Sequence, residues 1–415
     1  MRPVRVFAGL RAARGRVFRS LSERNYRRFF AGHSCSVVGT WMQRIGQDWL
    51  VLELTGSAFA LGVSMVCQFL PVLVGGVWGG VVVDRVDTRR LLMVTQAAQA
   101  VLAAALAAFS LTGTATLPIV YGLAAGLGIV TVFDNPARHT FVAELVGEAD
   151  IVNAQALNSL VNNAGRLAGP ALAGALIVLV GVGVTFVINA VSFLAVLVAL
   201  WLMDVGTLRR RPPVPRAPGQ ARAGLRYVWR HPELRLAIVL VAVVSVFGQN
   251  FRVVFPILAS EVFHGDARVY GWLTAALGLG AVAGGMAAAA ATTATPRRLL
   301  LACAAFGAVN LAVAGAPALG VALAAVVLLG VTNMVVNTLA RALMQLRTAP
   351  ELRGRVMAIN GLVFLGGTPV GGPLMGLLCE WWGARAGLLV SGAACLAGAV
   401  AVVPVQRLAR SGPAL

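Results

Sequence analysis

Long apolar segments alternate along the chain with short polar breaks. Reading the 415 residues for apolar stretches gives twelve of them, six in each half. A bilayer-spanning helix needs about 20 apolar residues, which each stretch approaches or exceeds. They lie at 29–54, 57–83, 91–112, 117–134, 154–178 and 184–204, and at 236–259, 268–293, 299–315, 318–341, 356–379 and 385–405. We predict an all-α integral membrane protein with twelve transmembrane helices in two pseudo-symmetric six-helix bundles.

The polar breaks predict how the chain is divided. A basic tail at 1–24 precedes a first bundle at 25–204, and a linker at 205–235 precedes a second bundle at 236–405 and a tail at 406–415. The stretch LRYVWRHPELR within the linker fits a short amphipathic helix on the lipid headgroups or an ordinary solvated loop. In the helical interpretation, apolar side chains face lipid and arginines face phosphates: Leu225, Tyr227, Val228 and Trp229, with Arg226 and Arg230.

Three short patterns recur in the same order in both halves, at spacings of 199 to 208 residues. Each match is weak alone, but together they indicate diverged copies of one six-helix unit. Such repeats place a substrate site at their interface, near the bilayer midplane. The pairs are Arg89-Arg90 with Arg297-Arg298, Ala137-Arg138 with Ala340-Arg341, and Gly169-Pro170 with Thr368-Pro369.

Composition and charge support a membrane protein. The chain is 59% apolar and 12% charged, its net charge is +19, and every basic residue is arginine. With the N-terminus inside, 28 arginines fall on the inner side and two, Arg268 and Arg385, outside. The positive-inside rule then predicts a multi-pass protein of the cell membrane with both termini and the linker in the cytoplasm. The charge needs no nucleic acid to explain it, so we expect lipids as partners, and a monomer.

Residues for enzymatic chemistry are missing from the sequence. The five cysteines lie in apolar stretches without paired spacing, the four histidines are scattered, and neither a P-loop nor a GxSxG turn occurs. We expect no enzyme, no metal site and no cofactor. The driving force is then an ion gradient, for which protons are the first candidate, or the gradient of the substrate itself.

The first apolar segment carries the most informative charged residues. Asp48 and Arg44 are one helical turn apart, and ionisable residues at membrane depth are functional candidates by default. One interpretation is a permanent ion pair within the helix. The other is that Asp48 titrates and couples proton uptake to substrate exit.

Polar residues at helical spacing also predict a cavity between the halves. Arg166 and Arg252 exceed the acidic groups at their depth once Asp48 is paired with Arg44, so the cavity would suit an anionic or polyphenolic ligand. Snorkelling or bonding to carbonyls explains single arginines equally well. The cavity candidates are Trp41, Gln43, Gln47, Asn158, Asn162, Arg166, Phe247, Gln249, Asn250, Phe251 and Arg252.

The loop after the second segment reads GGVVVDRVDTRRLL and resembles the cytoplasmic signature of the major facilitator superfamily. Its residues are Gly80, Asp84, Arg85, Arg89 and Arg90, while Asp87 and Thr88 depart from the usual pattern. The resemblance implies a latch between the halves in the outward-open state, with Asp84 and Arg138 as its ion pair. Ordinary positive-inside charges are the alternative interpretation.

The fifth segment contains GRLAGPALAG, which resembles the antiporter signature of the same superfamily. Its matching residues are Gly165, Gly169, Pro170 and Gly174. The proline bends the helix and the small residues allow close packing. The resemblance implies export rather than uptake.

Several longer stretches look like the enterobactin-exporter-like branch of the superfamily: GTWMQR, WLVLELTGS, QFLPVL, NPARHTFVAELV, NAQALNS and ELRGRVMA. The branch implies export of a small organic molecule, such as a drug or siderophore, by alternating access and proton antiport. Many relatives carry an arginine in the fourth helix where this chain has Tyr121 or Gly122, which leaves Asp48 as the first proton candidate. Uptake or facilitated diffusion of a metabolite is the alternative function, with lipid flipping behind it.

Overall fold

The structure, a computed structural model, describes residues 18–147, 150–209, 220–290 and 293–401 and is almost wholly helical. The first half contains α1 Arg24–Thr55, α2 Ala58–Val83, α3 Thr88–Leu111, α4 Leu117–Val146, α5 Ile151–Val180 and α6 Val182–Trp201. The second half contains α7 Gln220–Arg230, α8 Pro232–Val243, α9 Phe251–Ile257, α10 Ala267–Ala290, α11 Pro296–Ala314, α12 Leu319–Arg347 and α13 Arg353–Ala401. Two π-helical turns, Val244–Gly248 and Leu258–Val262, join α8 and α9 into one span.

Ten segments of the described chain are long and apolar enough to cross a membrane. Helix α1 is also long enough, at 32 residues, but carries more charge. Helix α13 contains a reversal at Gly383, whose φ of 78° is left-handed, and Gly387 packs back against Met375 and Cys379. The architecture is therefore compatible with the twelve predicted spans, and the protein is an all-α integral membrane protein.

The two halves repeat the same architectural details. Gly181 and Gly383, 202 positions apart, both have left-handed φ and both separate the last two spans of their half. Gly128 of α4 lies against the backbone of Gln68 in α2, and Gly330 of α12 lies against the backbone of Leu277 in α10. Side chains larger than hydrogen would hold these helix pairs apart, so the same close packing is kept in both halves.

The helices define two ends of the molecule. One end, which we call the linker end, carries the turn from α6 into the linker and the start of α8. The opposite end, which we call the far end, carries the short connections around Gly56, Gly113, Gly181 and Gly383. Residues 1–17, 210–219 and 402–415, which include most of both predicted tails, lie outside the described residues.

Helix α4 extends further than its hydropathy pattern predicts. The pattern ends the helix at 134, but the helix continues to Val146 through Pro136. Phe141 and Val142 are fully buried in this extension, and Asp134 accepts hydrogen bonds from neighbouring helix α3, so protein contacts replace lipid contacts. Helix α12 continues in the same way to Arg347.

The linker forms a helix, α7, as one of the two sequence interpretations predicted. Leu225 and Trp229 are exposed, as a lipid-facing side requires. Val228, however, is buried, and the Tyr227 hydroxyl accepts a hydrogen bond from the Ala349 amide at 3.4 Å. The prediction that these two side chains face lipid is wrong, because the face that carries them packs against the second half.

Close helix packing around Gly280 should be intolerant of a single methyl group. A Cβ at Gly280 would overlap the carbonyl of Val327 on α12, whereas a Cβ at Gly122 would enter open space. Overpacking costs about 1–3 kcal/mol, so we expect Gly280→Ala to lower the thermal unfolding temperature of the purified protein in detergent by several degrees. Gly122→Ala should leave it unchanged or raise it, since alanine favours helix over glycine. Equal effects of the two substitutions would contradict the packing.

Candidate substrate cavity and the ion pair beneath it

A polar cavity of about 210 Å³ lies within the first half, and the residues that line it all belong to that half. Its deep wall includes Arg44, Gln47 and Gln68, while Asn135 and Asn162 lie about three helical turns inside the linker end. Asn135 and Asn162 are exposed although they lie within membrane-spanning helices. Exposed amides at this depth indicate water rather than lipid, so the cavity opens toward the linker end.

At the far side of this cavity, Asp48 joins the two halves. Arg252 donates from Nε to Oδ2 at 2.8 Å and from Nη2 to Oδ1 at 2.7 Å, which is a bidentate ion pair. The Tyr270 hydroxyl donates to Oδ2 at 2.7 Å, and Arg252 Nη1 donates to Gln68 Oε1 at 2.9 Å. Asp48 is 1% exposed. This network, which we call the Asp48 network, connects α1 and α2 of the first half with α9 and α10 of the second.

The ion pair expected within α1 is not formed. Asp48 is satisfied by Arg252 and Tyr270, whereas Arg44 lies over the Trp41 ring, with its Cζ 4.7 Å from the ring centre. The Arg44 Nε is buried without a hydrogen-bond partner in the described structure. Sequence spacing favoured the local pair because it cannot show that a partner more than 200 residues away reaches both carboxylate oxygens.

The predicted excess of positive charge is present, but on different residues. Arg252 is neutralised by Asp48, while Arg44 and Arg166 both stand beside Trp41. The Arg166 Cζ lies 5.9 Å from the centre of that ring. Two guanidinium groups therefore flank one indole, one of them on the wall of the cavity.

The remaining first-half candidates form the cavity wall. Gln43 accepts a hydrogen bond from Asn189 at 2.5 Å, and Gln47 donates one to Ser64 at 3.1 Å. Asn158 and Asn162 line the wall from α5. The amide groups thus connect α1 to its neighbours while leaving polar surface toward the cavity.

The second-half candidates are less exposed to the cavity than predicted. Phe251 is buried against Phe255 and Phe306, so it packs the core rather than stacking on a ligand. Asn250 donates to the Val246 carbonyl at 2.6 Å, and the Phe247 carbonyl accepts from Ser391. Gln249 keeps a buried Nε2 without a partner among the described residues.

A second buried charge cluster was missed in the sequence. Asp134 on α4 pairs with Arg138 one turn later, and Arg138 also contacts His33 Nδ1 at 2.5 Å. Thr95 and Gln96 donate to Asp134 at 2.9 and 2.7 Å. The spacing of Asp134 and Arg138 could have revealed this pair, but ending the helix at 134 placed Arg138 in a loop.

The latch prediction concerns the outward-open state, whereas this structure is open at the linker end, so the latch stays a prediction. In the present state Arg138 bonds to Asp134 and His33 rather than to Asp84. Arg89 donates to the carbonyls of Leu200 and Trp201 at the end of α6. Arg85 and Arg90 are exposed at the linker end, and Asp84 ends α2 by bonding its amide to the Gly80 carbonyl. The contacts of Arg89 therefore brace α3 and α6 within one half.

The small residues of α5 contact two different helices. A Cβ at Gly165 or Gly169 would lie 2.5 Å from atoms of Val37 or Trp41 on α1. A Cβ at Gly174 would lie 2.6 Å from the Ala267 carbonyl on α10. With Pro170 between them, these glycines allow α5 to touch its own half near the cavity and the other half at the far end.

The far end is the region where the halves meet most closely. Glu380 of α13 accepts hydrogen bonds from the Ser57 hydroxyl at 2.9 Å and the Phe59 amide at 3.2 Å. Gly62 of α2 lies against the carbonyl of Gly372. Among described residues, the hydrogen bonds between the halves all belong to this contact or to the Asp48 network. The molecule is therefore closed at the far end and beneath the cavity.

Comparison with known proteins identifies the class to which this architecture belongs. A family model described as transmembrane secretion effector matches residues 16–411. The chain belongs to this family of major facilitator superfamily transporters, and it is not an enzyme.

Individual relatives agree with this assignment. The chain is 28% identical over 381 residues to the multidrug efflux pump Tap of Mycolicibacterium fortuitum, covering 89% of this chain and 93% of that protein. It is 26% identical to the staphyloferrin A transporter of Staphylococcus aureus over 59% of this chain and only 61% of that protein. Among solved structures, the nucleoside transporter NupG aligns with a TM-score of 0.74 at 10% identity, covering 92% of this chain and 99% of NupG, which shows a shared fold.

The Asp48–Arg252 pair should show strong coupling in a double-mutant cycle. Removing one partner of a buried pair leaves an uncompensated charge and costs about 3–5 kcal/mol. We expect Asp48→Ala or Arg252→Ala alone to lower unfolding stability in detergent more than the double substitution does. Additive effects of the two single substitutions would show that the pair contributes no coupling.

Proposed function

We propose that the protein is a secondary active exporter that moves a small organic molecule out of the cell by alternating access, in exchange for protons. The chain would lie in the cell membrane with both termini and the linker in the cytoplasm, as its arginine distribution favours. The observation that carries the proposal is the Asp48 network, because it places a titratable group where the halves must separate.

The substrate class is supported by the relatives and by the cavity. Relatives along most of the chain are named as multidrug efflux pumps, and one partial match is named as a siderophore transporter. A polar cavity that opens at the linker end gives such a molecule a binding place in the first half. With the linker in the cytoplasm, this state would accept substrate from inside the cell.

Export then requires a second state in which the far end is open. Rocking of the halves about the close contacts of α5 would separate Glu380 from Ser57 and Asp48 from Arg252. The cavity would close at the linker end in the same movement. Repeat-built transporters commonly change access by such movements around a fixed site.

The hydrogen bonds that Asp48 accepts support a coupling of transport to protons. Three hydrogen bonds reach its two oxygens, and an ionised carboxylate accepts all of them. A protonated carboxyl would direct its own O–H against one of these donors, and it would leave the Arg252 charge without compensation. In the far-end-open state the separated carboxylate would take up a proton from outside. As the far end closes and the pair with Arg252 re-forms, that proton would pass to the cavity and the cytoplasm, so a proton moves inward while the substrate moves outward.

Proton-driven transport should depend on the carboxylate of Asp48 and not on another carboxylate of the same helix. In inside-out vesicles with an acidic interior, we expect wild-type protein to accumulate staphyloferrin A or a second anionic siderophore. Asp48→Asn should reduce accumulation at least about tenfold, since each 1.4 kcal/mol of lost driving force is a factor of ten, while exchange without a pH gradient persists.

The matched control is Glu53→Gln, because Glu53 is an exposed carboxylate on the same helix that accepts only the Trp49 N–H at 2.7 Å. Its accumulation should equal that of wild type. Undiminished proton-driven accumulation by Asp48→Asn would refute the coupling. Movement of the probes in the opposite direction would favour the uptake alternative.

Far-end opening should be blockable by a cross-link. Ser57 and Glu380 lie on opposite halves and are hydrogen-bonded, so paired cysteines there can be bridged by a short bis-methanethiosulfonate, whose two disulfides can be reduced. In a background with the native cysteines replaced, the bridged Ser57→Cys/Glu380→Cys protein should lose transport and regain it on reduction. The single Ser57→Cys variant treated alike should remain active. Full transport with the bridge in place would exclude alternating access through the far end.

A further inference from the structure

We infer that Trp41, Arg44 and Arg166 form a subsite for the carboxylate of a planar aromatic acid, and that the protein accepts organic anions of this class in preference to cations. As a statement about what is transported, the inference rests on the proposed export function. As a statement about binding, it stands on the geometry of the cavity alone.

The charge balance around the cavity supports an anion. Asp48 and Asp134 are the described carboxylates at cavity depth, and both are occupied, by Arg252 and Arg138 respectively. Arg44 and Arg166 have no acidic partner within the described structure. Arg44 lies on the cavity wall and Arg166 lies behind it at the same indole, so neutralisation of the two cations is left to a bound molecule or to water.

The hydrogen-bonding groups at the subsite also favour an anion. The Arg44 Nε is a buried N–H donor without an acceptor, and a buried donor of this kind is costly when left unsatisfied. Carboxylates match guanidinium donors in a planar, bidentate geometry. A carboxylate in the cavity would meet the guanidinium of Arg44, which lines the cavity wall, and compensate its charge.

Trp41 adds a preference for a flat ligand. Its ring is flanked by Arg44 at 4.7 Å and Arg166 at 5.9 Å, so a planar ring beside them can stack on indole or guanidinium. The cavity volume of about 210 Å³ is below the range of about 300–1,000 Å³ typical of pockets for drug-sized ligands. In this state the subsite fits one or two fused rings rather than a large macrocycle.

A binding experiment with matched probes tests the subsite. Radiolabelled naphthalene-2-carboxylate, its neutral carboxamide and the cation 2-naphthylmethylammonium share one ring system and differ in charge. For the purified full chain in lipid nanodiscs at neutral pH, we expect the carboxylate to bind at least about tenfold tighter than the amide, and the cation to bind most weakly.

Substitutions assign that preference to the two arginines. Arg44→Gln and Arg166→Gln should each reduce carboxylate affinity about fivefold or more and leave amide affinity unchanged, which also shows that the variants are folded. Trp41→Ala should weaken the carboxylate and the amide alike. Arg297→Gln, which removes an exposed arginine in the first turn of α11 at the linker end, should change nothing.

The outcomes separate this inference from the export proposal. Equal binding of the three probes, no binding of any probe, or a carboxylate preference that survives in the Arg44→Gln/Arg166→Gln double variant would each overturn the subsite. A preference that disappears with the arginines, in a protein that shows no proton-driven accumulation in vesicles, would uphold the subsite and refute the export proposal.

Discussion

The buried ion pair between Asp48 and Arg252 is the constraint on which the architecture depends. Each charge lies within a membrane-spanning segment, where an unpaired ionisable residue costs at least about 2.5 kcal/mol. The two residues come from opposite halves of the chain, so neither half can satisfy its charge alone. The halves are therefore held together at the far side of the cavity by a contact between two opposite charges.

Because Asp48 and Arg252 neutralise each other, other arginines near the cavity keep an uncompensated positive charge. Because Arg252 takes Asp48, Arg44 is left to stack on Trp41, and Arg166 stands at the same ring. In the linker-side half of the cavity, Asp134 is likewise taken by Arg138. The carboxylates Asp48 and Asp134 of the first half are thus each paired with an arginine. Two further arginines, Arg44 and Arg166, lie beside Trp41 without an acidic partner among the described residues. The second half lacks the matching carboxylate, since Asn337 stands 203 positions after Asp134, and Arg341 lies over Phe364 instead. Sequence repetition therefore preserves the fold while charge is distributed unequally.

The fold was predictable from the sequence because spacing and hydropathy act locally. The spans, the linker helix and the close packing at Gly169 and Gly174 all depend on patterns within one segment. Two of the errors arose where contacts between distant residues decide, and one arose because the hydropathy pattern ended α4 too early. Asp48 pairs with Arg252 instead of with Arg44 one turn away, Arg138 lies inside an extended α4, and Val228 packs against protein instead of lipid. The orientation of a buried polar side chain depends on its bonding partner. A partner about two hundred residues away leaves no periodic pattern in a single sequence.

We propose that the pair of Asp48 and Arg252 holds the far end closed. Distances between spin labels at Thr114→Cys and Pro317→Cys, which lie in far-end connections of opposite halves, measure this directly by double electron–electron resonance in nanodiscs. We expect one short distance population for the wild-type background and a second, longer population when Asp48→Asn is introduced. Identical distance distributions in the two proteins would contradict the proposal.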